Sequence, residues 1–417
     1  MKNKLFFIII FMICAIFGFS QNADDVLRID FYRCGNHNVD SIKIKEIFIQ
    51  NNNSIGSWSA VDDFDYGEYR IEAINSKGEC IFRKGYSSLF CEWKETAEAN
   101  QKDMEFEESV VIPYSKDIAK VVFYIRDSLN FWEQQKSIDI NLSNYKRKSL
   151  KKYPVENLSI CGKAEEKLDI LFLPDGYTKK ELPKFKEDCQ NAMNWILAAS
   201  PFDEFKDKIN FRAVMAPSVD SGPDFPHKGI IKNTVLNSSF NTFGIERYLT
   251  TLTYHAVMDL ASNSYADHVI ILINTNEYGG GGFYNFFTLS ASRNSYSNYL
   301  VQHELGHGLC GLGDEYYTSD VAVEDFYNFN VEPWEPNLTT LVDFSSKWDS
   351  LLEKGTAIPT PVNKENCKKI GVFEGGGYSA KGVFRPACEC TMKSVRYNDF
   401  CEVCKVSTRK IIRWYSR

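Results

Sequence analysis

Two histidines and a glutamate in the segment His303-Glu304-Leu305-Gly306-His307 have the spacing of a zinc-hydrolase site. Residues four apart on a helix lie on one face, so the imidazoles of His303 and His307 can bind one tetrahedral zinc ion. Glu304 can take a proton from a water that the metal has acidified and pass it to the leaving amine of a peptide bond. The alternative is two exposed histidines on a polar helix face, but the chain has only 6 histidines and this spacing seldom arises by chance. The segment therefore predicts one catalytic zinc ion (Zn2+), with Glu304 as the catalytic base.

The third protein ligand must come from outside this helix, because catalytic zinc usually takes three protein ligands and keeps a fourth position open. Metzincin-type enzymes continue with a glycine at which the chain turns, followed by a histidine or aspartate ligand. Here Cys310 holds the glycine position and Gly311 follows, so the pattern resembles a metzincin with one residue inserted. Asp314 is the first candidate for the third ligand, and Glu315 is the second. Either acid could instead cap the helix or orient a ligating histidine.

The sequence also predicts which residues lie beneath the metal and which lie beside it. Metzincin-type enzymes place a methionine turn under the metal, and Met392 is the candidate here, although most methionines simply fill cores. The glycine-rich stretch 279–282 could let a substrate backbone approach closely beside an edge strand, with a flexible loop as the equal alternative. The glycines assigned to substrate binding are Gly280, Gly281 and Gly282.

Tyrosine hydroxyls are candidates for stabilising the oxyanion of the tetrahedral intermediate. Tyr316, Tyr378 and Tyr397 could each serve, but the chain has 22 tyrosines, and for each of the three a packed aromatic ring is the alternative. Tyr316, which directly follows the acidic pair, is the candidate assigned to substrate binding.

Four cysteines near the C-terminus form a dense group that could be a set of disulfides or a structural zinc site. They belong to 12 cysteines in the chain, of which Cys14 would leave with an export signal, so an odd number remains. Disulfides are the favoured interpretation in an exported protein, and their pairing is left open. The group consists of Cys388, Cys390, Cys401 and Cys404.

The elements that must position these residues read as alternating strands and helices after residue 150, which indicates an α/β layer arrangement. The zinc-binding segment is predicted to lie on a helix from Ser297 to Gly311, ended by the glycines that follow it. The other predicted elements are strands at 168–173, 210–215 and 268–273 and helices at 179–197 and 248–260.

The first part of the chain has a different pattern, with short alternating runs separated by turn residues, which predicts a β-sandwich. Its polar, basic end near residues 146–154 reads as a linker. We therefore expect an α+β multidomain protein with three segments: a signal peptide (1–20), an N-terminal β-sandwich domain (21–150) and a metzincin-like zinc peptidase domain (151–417).

Export is predicted from the N-terminus, where Lys2 and Lys4 precede the apolar run 5–19 and small residues stand at its end, at Gly18 and Ser20. The run is shorter than the roughly 20 residues that cross a bilayer, so an uncleaved anchor is the lesser alternative, and no transmembrane segment is expected in the mature protein. The mature protein would be periplasmic, cell-surface or extracellular. The net charge of −7 disfavours a nucleic-acid partner.

The sequence resembles the bacterial IgA-peptidase family of zinc metallopeptidases over essentially its whole mature length. Residues 303–316 read HELGHGLCGLGDEY, and the glycine-rich stretch 278–285, the Val-Glu-Pro-Trp-Glu stretch 331–335 and the Phe-Cys-Glu-Val-Cys stretch 400–404 also match. The resemblance implies His303, His307 and Asp314 as ligands, Glu304 as base and Met392 as the turn. Cys310 and Cys388 depart from the family pattern without removing a reacting group.

These observations predict a secreted zinc endopeptidase that acts on protein or peptide substrates, with immunoglobulin A or other host glycoproteins as candidates suggested by the resemblance. One alternative is a zinc amidase that acts on cell-wall peptides. Another is a surface module that binds protein or glycan and retains vestigial activity, with the N-terminal domain recognising the glycan. The natural substrate, the cleaved bond and the oligomeric state are left open.

Overall fold

The computed structural model describes residues 25–51, 61–317 and 326–416. The chain is a mixed α+β protein with a β-rich N-terminal part, as predicted. The predicted signal peptide (1–20) lies outside the described residues. In the part of the chain that is described, no helix has the length and apolar character needed to cross a membrane.

In its described residues, the N-terminal part contains two four-stranded sheets and a short α-helix, α1 (Leu89–Trp93). One sheet has the strand order β5-β1-β2-β8 and the other β4-β3-β6-β7. Side chains from both sheets enter one hydrophobic core, for example Ile29, Phe31, Ile71 and Phe123. The strands are β1 (Asp25–Asn36), β2 (Val39–Asn51), β3 (Tyr69–Asn75), β4 (Cys80–Tyr86), β5 (Met104–Pro113), β6 (Ile118–Arg126), β7 (Trp132–Asp139) and β8 (Arg147–Lys148).

A six-stranded sheet forms the centre of the second part, with the order β13-β14-β12-β10-β11-β9. Its four inner strands are parallel, and an antiparallel strand lies at each edge. Burial on both faces explains why its central strands are continuous apolar runs. The strands are β9 (Val155–Ser159), β10 (Leu168–Asp175), β11 (Ile209–Val214), β12 (His268–Ile273), β13 (Gly280–Phe283) and β14 (Phe287–Ala291).

The two faces of this sheet belong to different cores. Ile170 and Phe172 of β10 pack with α2 (Leu182–Ala198), α4 (Ser297–Gly308) and α5 (Glu402–Tyr415). Leu171 and Leu173 point the other way, into the core that contains α3 (Tyr254–Ala261) and both N-terminal sheets. One core therefore joins the two parts of the chain, although the basic stretch near residue 150 reads as a linker between domains.

Three predicted elements differ from the structure at their ends or in kind. The helix predicted from residue 248 begins only at Tyr254, and the helix that carries His303 and His307 ends at Gly308 rather than Gly311. The stretch 279–282 is not a flexible loop, since most of it forms the edge strand β13. Near the C-terminus, β15 (Phe373–Gly376) and β16 (Ser379–Arg385) form a hairpin, and a disulfide joins Cys367 to Cys388.

Candidate metal centre

The helix α4 presents His303 and His307 from a largely buried position between β13, β14 and the segment that follows the helix. It ends because Gly311 adopts a positive φ of 65°, a conformation that glycine takes without steric cost. The chain turns there and brings Asp314 back beside both histidines. The sequence pattern thus correctly indicates a sharp turn at this glycine.

Three ligand atoms converge at this point. The Nε2 atoms of His303 and His307 are 3.2 Å apart, and Oδ1 of Asp314 is 3.2 Å from the first and 3.3 Å from the second. Ligands about 2.0 Å from a tetrahedral zinc ion are separated by about 3.3 Å. The spacing of the three atoms therefore suits one zinc ion.

Hydrogen bonds at the far side of each imidazole set its tautomer. Nδ1 of His303 lies 3.0 Å from the carbonyl oxygen of Thr391, and Nδ1 of His307 lies 2.6 Å from that of Leu312. A carbonyl can only accept, so each Nδ1 carries a proton, and in the neutral form of each ring the lone pair of Nε2 faces the other ligands. Oδ1 of Asp314 is buried and has no hydrogen-bond donor. A cation between these three acceptor atoms removes their mutual repulsion, so the residues fit a metal ion.

The pKa values of the site residues also reflect how closely these groups approach one another. Burial alone would lower the pKa of His307, but the Asp314 carboxylate outweighs burial and raises the pKa to about 9. Burial would raise the pKa of Asp314, yet the two imidazoles hold it well below its usual range. The site therefore stabilises positive charge next to Asp314, whether on the imidazoles or on an ion.

The two candidate acids point to different places. Asp314 faces the histidines, and its Oδ2 accepts a hydrogen bond of 2.7 Å from the hydroxyl of Tyr378. Glu315 turns away, and its Oε1 accepts a 3.0 Å hydrogen bond from Asn337 and lies 3.1 Å from the sulfur of Cys404. Of the two acids, Asp314 is the one whose position suits the third ligand.

Glu304 lines the same cavity as the histidines, together with the edge strand β13. A Cβ atom on Gly280 would lie 2.8 Å from its Oε1, and a Cβ on Gly282 would lie 2.2 Å from its backbone oxygen. These glycines therefore allow the helix and the strand to approach each other closely. Burial raises the pKa of Glu304 despite the two neighbouring histidines, which lower it.

Met392 lies under the helix that carries the histidines. Its side chain is fully buried, and its sulfur would lie 2.6 Å from a Cβ placed on Gly306. The turn around Met392 also supplies the Thr391 carbonyl that orients His303, and the Met392 carbonyl accepts a 2.8 Å hydrogen bond from the amide of Glu315. Met392 therefore packs against the helix that carries His303 and His307, and the turn around it contacts both His303 and Glu315.

The cavity contains one carboxylate that sequence reasoning missed. Glu92 comes from α1 in the N-terminal part, and its carboxylate accepts a hydrogen bond from the hydroxyl of Tyr248. Burial raises the pKa of Glu92 to about 7. Its only sequence signal is one acidic residue in the apolar run Leu89–Trp93. Of the three tyrosines proposed for the oxyanion, Tyr316 and Tyr378 line this cavity, whereas Tyr397 lies at the surface.

Comparison with known families places the chain among peptidases. The chain belongs to the IgA Peptidase M64 family, whose model matches residues 157–370 and 363–412. A model described as the Peptidase M64 N-terminus matches residues 19–136. A search of curated proteins found no match. The predicted resemblance to the IgA-peptidase family is therefore confirmed.

Proposed function

We propose that this protein is a zinc-dependent endopeptidase in which His303, His307 and Asp314 hold the metal and Glu304 is the general base. The observation that carries the proposal is the convergence of three acceptor atoms within 3.3 Å of one another. Glu304 borders the same cavity. Membership of a peptidase family makes a peptide bond the natural target of this group of residues.

The chemistry divides between the metal and the chain. When bound, zinc would polarise the scissile carbonyl and acidify the attacking water. Glu304 accepts the proton of that water and delivers it to the leaving amine, a role helped by burial, which makes the carboxylate a stronger base. Tyr378 orients Asp314 by donating to its outer oxygen, and the carbonyl oxygens of Thr391 and Leu312 orient the two imidazoles.

The edge strand β13 is the proposed platform for the substrate. An extended peptide can pair with an edge strand through main-chain hydrogen bonds. Within the described residues, the outer edge of β13 is paired only by an isolated bridge between Tyr248 and Gly280. Gly280, Gly281 and Gly282 would let the substrate backbone approach Glu304, and Tyr316 lies at the same cavity for contact with the substrate.

Three broader predictions belong to the same proposal. The turn at Gly311 and the methionine at Met392 support a metzincin-like arrangement of the peptidase domain. The predicted signal peptide supports export, with host proteins such as immunoglobulin A as candidate substrates suggested by the family. Glycan recognition by the N-terminal domain stays a prediction.

The test is to measure metal content and cleavage of an unfolded protein with the wild type and with Glu304→Gln. We expect about one zinc ion at this site in both proteins and a loss of about 10²–10⁴-fold in the cleavage rate of the variant, because only the proton transfer is removed. Glu277→Gln, which changes an exposed glutamate, is the matched control and should cleave normally. Full cleavage by Glu304→Gln, or a wild type without metal at this site, would overturn the proposal. Cleavage of cell-wall peptides but of no protein would favour the amidase.

A further inference from the structure

A second group of potential metal ligands lies next to the candidate catalytic centre. Its ligand atoms all lie within 4.8 Å of one another, and three of its four residues are buried. The group is separate from the pair of histidines, since it takes the other acid of the Asp-Glu pair. We call it the cysteine cluster, and its members are Glu315, Cys390, Cys401 and Cys404.

The cluster draws on three segments of the chain. Glu315 directly follows Asp314, and Cys390 opens the methionine turn. Cys401 is the residue before α5, and Cys404 lies in the first turn of that helix, so the pair forms a Cys-x-x-Cys motif at a helix N-terminus. Such spacing is frequent in structural zinc sites, and the positive end of a helix favours thiolates.

The fourth cysteine predicted for this region does not take part. Cys388 forms a disulfide with Cys367, whereas Cys390, Cys401 and Cys404 are free thiols. Three cysteines cannot all be paired with one another in disulfides, and Glu315 fills the place of a fourth ligand. The sequence predicted either disulfides or a metal site among four cysteines. The structure has one disulfide, which uses Cys388, and a separate group of three thiols and a carboxylate.

The distances within the cluster suit a tetrahedral metal. The sulfurs of Cys390 and Cys404 are 3.9 Å apart, and Oε1 of Glu315 lies 3.1 Å from the sulfur of Cys404 and 3.8 Å from that of Cys401. Thiolates about 2.3 Å from zinc are separated by about 3.8 Å. One ion between the three sulfurs and the carboxylate can therefore reach all four ligands.

Two further observations suit a cation bound at the cluster. The backbone amides of Met392 and Cys401 donate hydrogen bonds of 3.4 Å and 3.2 Å to the sulfur of Cys390. A metal-bound thiolate at Cys390 would accept both hydrogen bonds. Oε2 of Glu315 has no hydrogen-bond partner, although its side chain is fully buried. A buried carboxylate with an unpaired oxygen is costly, and a cation bound at Oε1, which lies next to the sulfurs, would offset its charge.

We propose that the cysteine cluster binds a second zinc ion, with a structural role, through Cys390, Cys401, Cys404 and Glu315. Zinc suits this set because it prefers tetrahedral sites of thiolate and carboxylate ligands. The ion would tie together the segment that carries Asp314, the turn that carries Met392 and the helix α5. It would thereby hold the Thr391 carbonyl, which accepts the hydrogen bond of His303, and it would not take part in the reaction.

Cobalt substitution tests this site apart from the first one. Only thiolate ligands give Co2+ a sulfur-to-metal absorption in the near ultraviolet, and the set His303, His307 and Asp314 contains no sulfur. We expect this absorption when Co2+ replaces zinc in wild-type protein that has been purified without reductant. It should persist in His307→Ala, disappear or weaken strongly in Cys404→Ser, and remain unchanged in Cys161→Ser, which alters an exposed cysteine outside the cluster.

Zinc content gives the second readout. The wild type should contain about two zinc ions per chain, and His307→Ala and Cys404→Ser should each contain about one. A wild type that lacks the near-ultraviolet absorption, as a disulfide among the three cysteines would produce, overturns the proposal even if Cys404→Ser fails to fold. One zinc ion in the wild type that is lost in His307→Ala overturns it as well and leaves the proposed peptidase intact. Loss of cleavage in Glu304→Gln has no bearing on this site.

Discussion

At the scale of single residues, the site depends on neighbours that orient the groups expected to react. Tyr378 is one such residue, because its hydroxyl donates a 2.7 Å hydrogen bond to the outer oxygen of Asp314 while the inner oxygen faces the histidines. Hydrogen bonds of this kind fix a ligand in the orientation that a metal requires. Tyr378 is therefore a positioning residue rather than a catalytic one.

Tyr378→Phe should weaken zinc binding at the catalytic centre by about 10–100-fold, because Asp314 loses its orienting donor. Competition with a chelator measures this affinity directly, and cleavage at saturating zinc should recover most of the wild-type rate. Tyr397→Phe, which alters a tyrosine at the surface, is the control. Equal zinc affinities in all three proteins would show that the hydrogen bond does not position the ligand.

Another residue-scale effect concerns His268, which is buried on β12 and is 2.8 Å from the hydroxyl of Thr288. Burial, with a smaller contribution from Lys84, lowers the pKa of His268 to about 3. The unfolded chain binds a proton at His268 near pH 6.5. Because the folded pKa is the lower one, stability is full above about pH 6.5 and falls as the pH drops toward about 3.

This linkage predicts that His268 lowers the free energy of unfolding by about 2 kcal/mol between pH 7 and pH 5. Urea unfolding of the wild type and of His268→Gln at the two pH values measures the effect, and the variant should lose that part of the pH dependence. His227→Gln, at a partly exposed histidine, should keep the wild-type dependence. An identical pH dependence in all three proteins would exclude His268 as the source.

At the scale of elements, the proposed catalytic centre depends on close contact between α4 and the edge strand β13. A Cβ on Gly282 would lie 2.2 Å from the backbone oxygen of Glu304 and 2.9 Å from Cβ of His307. Backbone atoms cannot rotate away, so a larger residue there must push the helix off the strand. Gly281, on the other face of the strand, has no such neighbour closer than 3.3 Å.

Gly282→Ala should therefore lower the free energy of unfolding by about 1–3 kcal/mol, the usual effect of overpacking. It should also reduce cleavage strongly, because a shift of about 1 Å in catalytic groups can change rates by about 100-fold. Thermal unfolding and cleavage rates measure the two effects, and Gly281→Ala is the matched control for stability. If the two variants lose the same stability, the contact between helix and strand does not limit the site.

The parts of the site that the sequence predicted are those encoded by local spacing. One short stretch of helix carries His303, Glu304 and His307. The change in chain direction at Gly311 follows from the preference of glycine for a positive φ. The choice between Asp314 and Glu315 could not be made locally, because both acids have suitable spacing. It depends on contacts with residues that are distant in the sequence. Asp314 faces Tyr378, whereas Glu315 points the opposite way, toward Cys404.

The parts that the sequence did not predict depend on long-range packing. The segment 248–253 has helical periodicity, yet Tyr248 bridges to Gly280 and donates to Glu92, so the helix starts only at Tyr254. The position of Glu92 at the cavity requires α1 to pack against that segment. No pattern within α1 encodes such a contact between parts far apart in the sequence.

At the scale of the whole molecule, the N-terminal part and the peptidase part share one hydrophobic core. A buried arginine crosses the same boundary: Arg28 forms a 2.7 Å ion pair with the exposed Asp259 and donates to the carbonyl of His255, while it also pairs with Asp30 on its own strand. Glu92, which belongs to the N-terminal part, lines the cavity that contains His303, Glu304 and His307. Removing residues 21–150 would therefore expose this core, so the role of the N-terminal part is better tested by single substitutions.

The shared core predicts that the two parts unfold together in one cooperative transition. Arg28→Met should shift that whole transition down and lower the free energy of unfolding by about 3–5 kcal/mol, because Asp30 is left buried without its partner. Calorimetry measures the transition, and Lys43→Met is the control, since its ion pair with Glu105 is exposed and such pairs contribute about 0–1 kcal/mol. Two separate transitions, of which Arg28→Met shifts only that of the N-terminal part, would show that the peptidase part is stable alone. In that case the shared core covers the peptidase part without being required for its stability. Glu92 then becomes the main contribution of the N-terminal part to the cavity.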